Sequence, residues 1–219
     1  VITLGGLGTR LSSITKDSPK SLFPINGKHT LERTIEVLST QGIKYFIWII
    51  RKEDLRFNNE VIRLMHKYKV DIQIFFESLP KGEAGSLFDM VTMLNNSFLF
   101  LNGDIIFDID LHRLYRFHVN NSSELTFITH TTNHPYDSDC VIESPNQSIH
   151  SYKIKTDKNI WPGYYLGNAG ISILSKELII SIKRQFNFEN NDISFFKDII
   201  LKAKIKGYKV FSYNTSEYL

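Results

Sequence analysis

Within its first 28 residues the chain sets Gly5, Gly6 and Gly8 ahead of Arg10, followed by Pro19, Lys20 and Lys28. Glycines let backbone N–H groups approach phosphate oxygens closely, and a guanidinium beside them can fork two of those oxygens. Pro19 fixes the backbone just before Lys20. A lone glycine pair reads as a strand-to-helix turn whose charges face water; a glycine cluster sharing one loop with three cations reads as a phosphate site. Two familiar phosphate devices are excluded on residues. The dinucleotide pattern Gly-x-Gly-x-x-Gly would need glycine at Leu11, and no Gly-Lys-Ser or Gly-Lys-Thr ends the loop as a P-loop requires.

Asp104 is the second candidate. It follows the apolar run SFLFL and the pair Asn102-Gly103, which puts its carboxylate at the carboxyl edge of a sheet, where ligands of open α/β folds bind. Beside a bound phosphate such a group needs an intervening cation, so it reads as a Mg2+ ligand; its plain alternative is a turn residue after Gly103. Asp110 is better explained as a helix N-cap. His130 and His134 are too loosely placed to form a metal site.

The elements that must carry these residues alternate. Strands are expected over residues 1–4, 44–50, 71–76, 97–101, 124–131, 140–143, 149–155, 163–174 and 208–213. Helices are expected over 31–40, 59–68, 85–94, 110–119, 176–184 and 193–206. The alternation in the first half is that of βαβ units. A short turn between 140–143 and 149–155 predicts an antiparallel hairpin. No repeat, low-complexity tract or linker marks a domain boundary.

The bulk numbers exclude several classes. The 219 residues, 42% hydrophobic, suit one large domain. A formal charge of +3, with the basic residues scattered, argues against nucleic acid and suits small anions. The single cysteine, Cys140, makes neither an internal disulfide nor a zinc site, and a reducing, cytoplasmic setting is the simplest reading. No apolar run approaches the ~20 residues that span a bilayer, so no membrane partner is expected.

GGLGTRL followed by SITKDSPKSLFPINGK resembles the signature of the sugar-1-phosphate nucleotidyltransferases: Gly5, Gly6, Gly8, Thr9, Arg10, Leu11, Thr15, Pro19, Lys20 and Lys28 all match. The likeness runs through nearly the whole chain, because NGD at 102–104, Lys155 after the hairpin and NAG at 168–170 follow in the family's order. ESLPKGEAGSLF, LFLNGDIIFDIDL, HPYDSD and YYLGNAGISIL further resemble the nucleotidyltransferase half of bacterial two-domain proteins whose other half is a heptose-bisphosphate phosphatase.

The resemblance implies a Rossmann-like three-layer α/β/α sandwich with a mixed, mostly parallel central sheet and a small β-hairpin insertion. It implies one domain over 1–219, the N-terminal half nucleotide-binding and roughly 105–219 sugar-phosphate-binding, belonging to a longer chain with a possible fused phosphatase. The implied reaction joins an NTP, with GTP favoured, to a sugar 1-phosphate such as heptose or mannose 1-phosphate for surface polysaccharide; the alternative is a non-catalytic nucleotide-sugar-binding homologue. Arg10 and Lys20 would be catalytic. Leu4, Gly5, Gly6, Gly8, Thr9, Gly82, Gly85, Asn102 and Gly103 would line the nucleotide. Lys155, Gly167 and Asn168 would hold the sugar phosphate, and Asp104 the Mg2+. Three departures stand out: Leu4 for alanine, Glu83 for threonine and Ile154 for glutamate. Members of the family carry a second metal-binding Asp near the end of the domain, in a stretch like Asp-x-Gly-Thr-Pro; the 219 residues stop just before that point, so either the stretch follows or the metal site is incomplete. Oligomeric state is not legible.

Overall fold

The computed structural model of the chain describes residues 1–5, 19–51, 55–132, 135–136, 138–155, 165–185, 192–215 and 217. Two units separate along it, one of Val1–Pro80 with Leu101–Asp110, the other of Lys81–Phe100 with Leu111–Glu217.

In the first unit β1 (Ile2–Thr3) is only two residues long and runs parallel to β4 (Tyr45–Arg51) on one side and to the end of β6 (Ser97–Asn102) on the other. β5 (Asp71–Glu77) extends the sheet beyond β4, also in parallel. The apolar run of β4 is explained by this central place: Trp48 and Ile50 are fully buried, as is Ile2 beside them. A small hairpin of β2 (Pro24–Ile25) and β3 (Lys28–His29) stands apart. Asn26 and Gly27, at φ 50° and 77°, make the left-handed turn that the dipeptide Asn-Gly favours.

Helix α1 (Thr30–Thr40) starts on His29, whose Nδ1 accepts the Glu32 N–H at 3.0 Å. It turns Leu31, Ile35 and Leu38 inward. Helix α2 (Phe57–Tyr68) begins two residues earlier than its periodicity predicts, because Phe57 is buried edge-on against Trp48. The two helices are tied by Glu32, whose side chain is 5% exposed and takes Arg63 and Lys67 at 2.7 Å and the Tyr68 hydroxyl at 3.1 Å. Arg63, aided by Lys67 and Tyr68 against the opposing effect of burial, lowers the Glu32 carboxyl to about 2. A folded-state pKa below the unfolded one contributes stability that is complete above the ordinary glutamate range and lost as pH falls through about 2. Acid titration of wild type and Glu32→Gln should therefore show the variant less stable by about 2 kcal/mol near neutrality and the gap closing below pH 4 to 5; a constant gap would count against this network.

In the second unit β7 (Leu125–Thr131) lies between β11 (Val210–Asn214), parallel to it, and β10 (Leu166–Ser175), antiparallel. β6 flanks β10 on its other side. β8 (Cys140–Glu143) pairs with the start of β10 and with β9 (Ile149–Lys153), in the antiparallel hairpin that the sequence predicts. The helix expected over 85–94 is broken. α3 (Ser86–Asp89) gives way at Met90 to a 3-10 turn, Val91–Met93. Lysine ammoniums occupy carbonyls on both sides of the break: Lys183 takes that of Phe88 at 2.6 Å and Lys176 that of Leu94 at 3.0 Å. α4 (Leu111–Asn120) and α5 (Lys176–Gln185) follow their expected spans. The last helix is wound as a π-helix over Phe195–Leu201 before closing as α6 (Lys202–Ile205). Its start is fixed reciprocally: Ser194 Oγ accepts the Lys197 N–H, and Asp198 accepts the Ser194 N–H. No helix among the described residues is long and apolar enough to cross a membrane.

Candidate active site

In the first unit strands β1, β4 and β5 and the end of β6 (residues 101–102) run parallel, so their carboxyl ends share one edge. That edge gathers Leu4, Gly5, Arg51, Glu77, Asn102, Gly103 and Asp104. The Gly103 N–H donates to the Thr3 carbonyl at 3.0 Å, and the Leu4 N–H to the Ile49 carbonyl at 2.9 Å. A Cβ on Gly103 would stand 2.2 Å from Leu4 Cδ2 and 2.7 Å from the Thr3 carbonyl oxygen. Glycine is required there because the Thr3 carbonyl, a backbone group that cannot swing aside as the Leu4 side chain can, occupies the space. Arg51 Nε donates to the Gly5 carbonyl at 3.2 Å, and Arg51 is in register with Glu77 on the next strand. Glu77 Oε2 lies 3.3 Å from where a Cβ on Gly5 would be. The edge thus brings the Arg51 guanidinium and the buried Glu77 carboxylate close to the Gly5 backbone.

Lys20 opens a 3-10 turn, Lys20–Leu22, straight after Pro19. Its Nζ stands 4.0 Å from Asp104 Oδ2, and the Asp104 side chain is 54% exposed. Lys28, counted from sequence among the loop's phosphate cations, is otherwise engaged: its ammonium sits 2.7 Å from both oxygens of Glu36 and staples the β2–β3 hairpin to α1. Gly6, Gly8, Thr9 and Arg10 lie outside the described residues. Among the described residues no group of three or more His, Cys, Asp or Glu is placed to ligate a metal. Asp104 nevertheless fits a hard cation that takes one carboxylate from protein and its other oxygens from water and phosphate, as Mg2+ does. The carboxylate is open to solvent and only loosely opposed by Lys20.

The second unit holds the remaining candidates. The segment 81–85 is clamped to 193: Ile193 N–H donates to the Lys81 carbonyl and Ala84 N–H to the Ile193 carbonyl, at 3.0 and 3.1 Å. Gly82 has φ 76°, and a Cβ on it would fall 2.5 Å from Ile193 N; a Cβ on Gly85 would fall 2.4 Å from the Lys81 carbonyl oxygen. Between them Glu83 directs Oε1 to Lys155 Nζ at 3.0 Å and Oε2 to the Phe195 N–H at 3.2 Å. The Lys155 backbone N–H donates to Asp139 Oδ1 at 2.8 Å, and the Asn168 N–H donates to the Asp139 carbonyl at 2.9 Å. Asp139 therefore bridges Lys155 and Asn168, two of the three residues that sequence assigns to the sugar phosphate. Gly167 packs against Thr132, and Asn168 Oδ1 accepts the Gly170 N–H at the bulge of β10.

Electrostatics in this unit follow from burial among mixed charges. Desolvation pushes the Asp139 carboxyl up, against the pull of the Lys155 N–H and ammonium. For Lys155 burial would lower the ammonium, but Glu83, Asp139 and Asp192 together hold it above the ordinary lysine value. Lys153, 1% exposed, gives its ammonium to the Pro135 carbonyl at 2.6 Å and so anchors the segment leading to Asp139. Arg51, Glu77, Asp139 and Lys153 were not singled out from sequence. The rule that ligands meet the carboxyl ends of parallel strands flags the first two; nothing local flags the others.

A model of the nucleotidyl transfer family, described as "Nucleotidyl transferase", matches residues 1–217. The chain belongs to the nucleotidyl transferase family. A D-glycero-alpha-D-manno-heptose 1-phosphate guanylyltransferase of Campylobacter jejuni is 32% identical over 195 residues, covering 86% of this chain and 82% of the relative. A mannose-1-phosphate guanyltransferase of Yarrowia lipolytica is 27% identical over 186 residues, where the chain spans only 50% of the relative's length. Among solved structures, HddC from Yersinia pseudotuberculosis superposes with TM-score 0.79 at 23% identity, covering 99% of this chain and 90% of that one. A putative glucose-1-phosphate thymidylyltransferase from Bacillus anthracis superposes with TM-score 0.86 at 19% identity, covering 99% and 86%. At these identities the superpositions speak for the fold, a Rossmann-like α/β/α architecture on a mixed, mostly parallel sheet. As a nucleotidyl transferase the chain works on a nucleotide and a phosphorylated acceptor.

Proposed function

We propose that this nucleotidyl transferase moves a guanylyl group from GTP to a sugar 1-phosphate, heptose or mannose 1-phosphate, in the supply of bacterial surface polysaccharide. The observation that carries the reading is the pairing of Lys20 with an open Asp104 at the carboxyl edge of the first unit's strands; the names of the sequence relatives support the guanylyl group and the sugars.

In this reaction an oxygen of the sugar phosphate attacks the α-phosphorus of the triphosphate. The bond from that phosphorus to its bridging oxygen breaks, and pyrophosphate leaves with the electron pair. The nucleophile is already an anion, so no general base is required. Lys20 and Arg10 neutralise charge, Lys20 toward the α-phosphate and Arg10 toward pyrophosphate, and catalysis rests on alignment and electrostatics. Asp104 would hold Mg2+, which supplies further charge neutralisation to the triphosphate when bound. Lys155 and Asn168 would hold the acceptor's phosphate and a hydroxyl. A phosphatase acting on a sugar bisphosphate is the activity that would supply such an acceptor.

Glu77 supports guanine over adenine on chemical grounds. A carboxylate only accepts hydrogen bonds, and the N1 edge of guanine offers two adjacent N–H donors where adenine presents an acceptor at N1. Glu77→Gln should lower kcat/KM for GTP by roughly 10- to 100-fold and narrow the GTP to ATP ratio; an unchanged ratio would remove Glu77 from base reading. The overall test is pyrophosphate release from a panel of four NTPs against heptose, mannose and glucose 1-phosphates with Mg2+. Tight nucleotide-sugar binding with no release under any pairing would instead mark a non-catalytic binding homologue.

A further inference from the structure

We propose that Glu83 selects the sugar: its carboxylate accepts hydroxyl groups of the sugar whose phosphate is bound by Lys155. The inference rests on the transfer reading above and deepens it by naming the group that chooses the acceptor.

The backbone around Glu83 is held rather than loose. Gly82 and Ala84, on either side of it, are pressed against or hydrogen-bonded to Ile193. The side chain is held as well, with one oxygen on the Phe195 N–H at the first turn of the last helix and the other on the Lys155 ammonium. A carboxylate has about four lone-pair directions, and these two contacts leave acceptor capacity. The Glu83 and Lys155 side chains are 43% and 48% exposed, so that capacity faces solvent. Lys155 likewise has ammonium donors to spare, while its own backbone is fixed by Asp139.

A fixed carboxylate 3.0 Å from the lysine that takes the phosphate repels a bare phosphate. The repulsion is offset when the same molecule brings hydroxyl donors. Ile154, the residue before Lys155, offers only hydrocarbon in its side chain; of the carboxylates near that ammonium, Glu83 is hydrogen-bonded to it, while Asp139 and Asp192 act on it through charge. A site built to accept a particular hydroxyl rejects analogues lacking it far more strongly than an apolar pocket rejects an extra group. The competing account is purely structural: Glu83 joins Lys155 to the last helix and has no dealings with sugar.

The two accounts differ in what an amide does at position 83. Glu83→Gln retains an oxygen for the Phe195 N–H while losing the charge. Wild type and variant are assayed by pyrophosphate release with GTP and each of the three sugar 1-phosphates, and by competition with inorganic phosphate. We expect kcat/KM for the preferred sugar to fall by roughly 10- to 100-fold, mostly through KM, and the preference between sugars to shrink toward one. Inorganic phosphate should inhibit as well as before or better. Loss of phosphate affinity in step with sugar-phosphate affinity, or an unchanged preference, overturns the proposal. Glu83→Thr carries the same expectation where the glutamine variant melts early. A wild type that turns over no sugar phosphate overturns the transfer reading and this inference with it; turnover with unaltered selectivity in the variants overturns this inference alone.

Discussion

Asp104→Ala is expected to lower pyrophosphate release by roughly 10²- to 10³-fold while leaving the fold almost as stable as wild type. The two halves of that expectation have different origins. Asp104 is 54% exposed and 4.0 Å from Lys20, and a solvent-exposed pair at that separation contributes ~0 to 1 kcal/mol to folding. The rate effect comes from leaving the triphosphate without its cation, so it should appear in kcat at saturating Mg2+ and be accompanied by weaker Mg2+ dependence. Nucleotide binding measured without metal should rise or hold, because a negative group has gone. Full activity in Asp104→Ala would remove this residue from the site, and a large drop in melting temperature would show that it supports the fold instead.

Gly82→Ala should destabilise the second unit by about 3 kcal/mol or more. Two costs coincide. At φ 76° any side chain adds left-handed strain of ~1 kcal/mol or more, and the new Cβ would press at 2.5 and 2.6 Å on the Ile193 backbone nitrogen and oxygen, an overpacking cost of roughly 1 to 3 kcal/mol. Backbone atoms hydrogen-bonded to Lys81 and Ala84 cannot swing aside as a side chain would. Gly27 is the control. Its φ is 77°, but a Cβ there meets nothing within 4 Å, so Gly27→Ala carries only the strain. Urea melts of the two variants should separate by about 2 kcal/mol; equal effects would mean that the clamp around Ile193 yields.

The sequence was most readable where burial alone decides structure. The run YFIWIIR had to be a central strand, and the spacing of Leu31, Ile35 and Leu38 had to be a helix face. Residues 24–29 read as loop although Asn26-Gly27 carries a hairpin signal, because two-residue strands have no periodicity. The broken helix at Met90 was hidden for a different reason: carbonyls taken by Lys176 and Lys183 depend on residues about ninety positions away. The same holds at the site. Asp104 and Lys20 are legible from strand-end position and loop composition. The Glu83–Lys155 contact joins residues 72 apart, and the capture of Lys28 by Glu36 depends on a hairpin that composition does not announce. Charged side chains declare their type in sequence, but their partners are a property of the packed chain.

The division of the chain into units has a consequence for synthesis. The first unit takes its strand-end segment Leu101–Asp110 from beyond the point where the second unit has begun at Lys81. Neither unit is a contiguous stretch of the gene. On the ribosome residues 1–80 therefore emerge without the strand that pairs with one side of β1, and Ile2 and Thr3 must wait for Leu101 and Asn102 before their register is complete. A ribosome stalled short of that point would carry an unfinished sheet with β1 paired on one side at most, and Asp104, the last element of the candidate nucleotide edge, would still be inside the exit tunnel or untranslated.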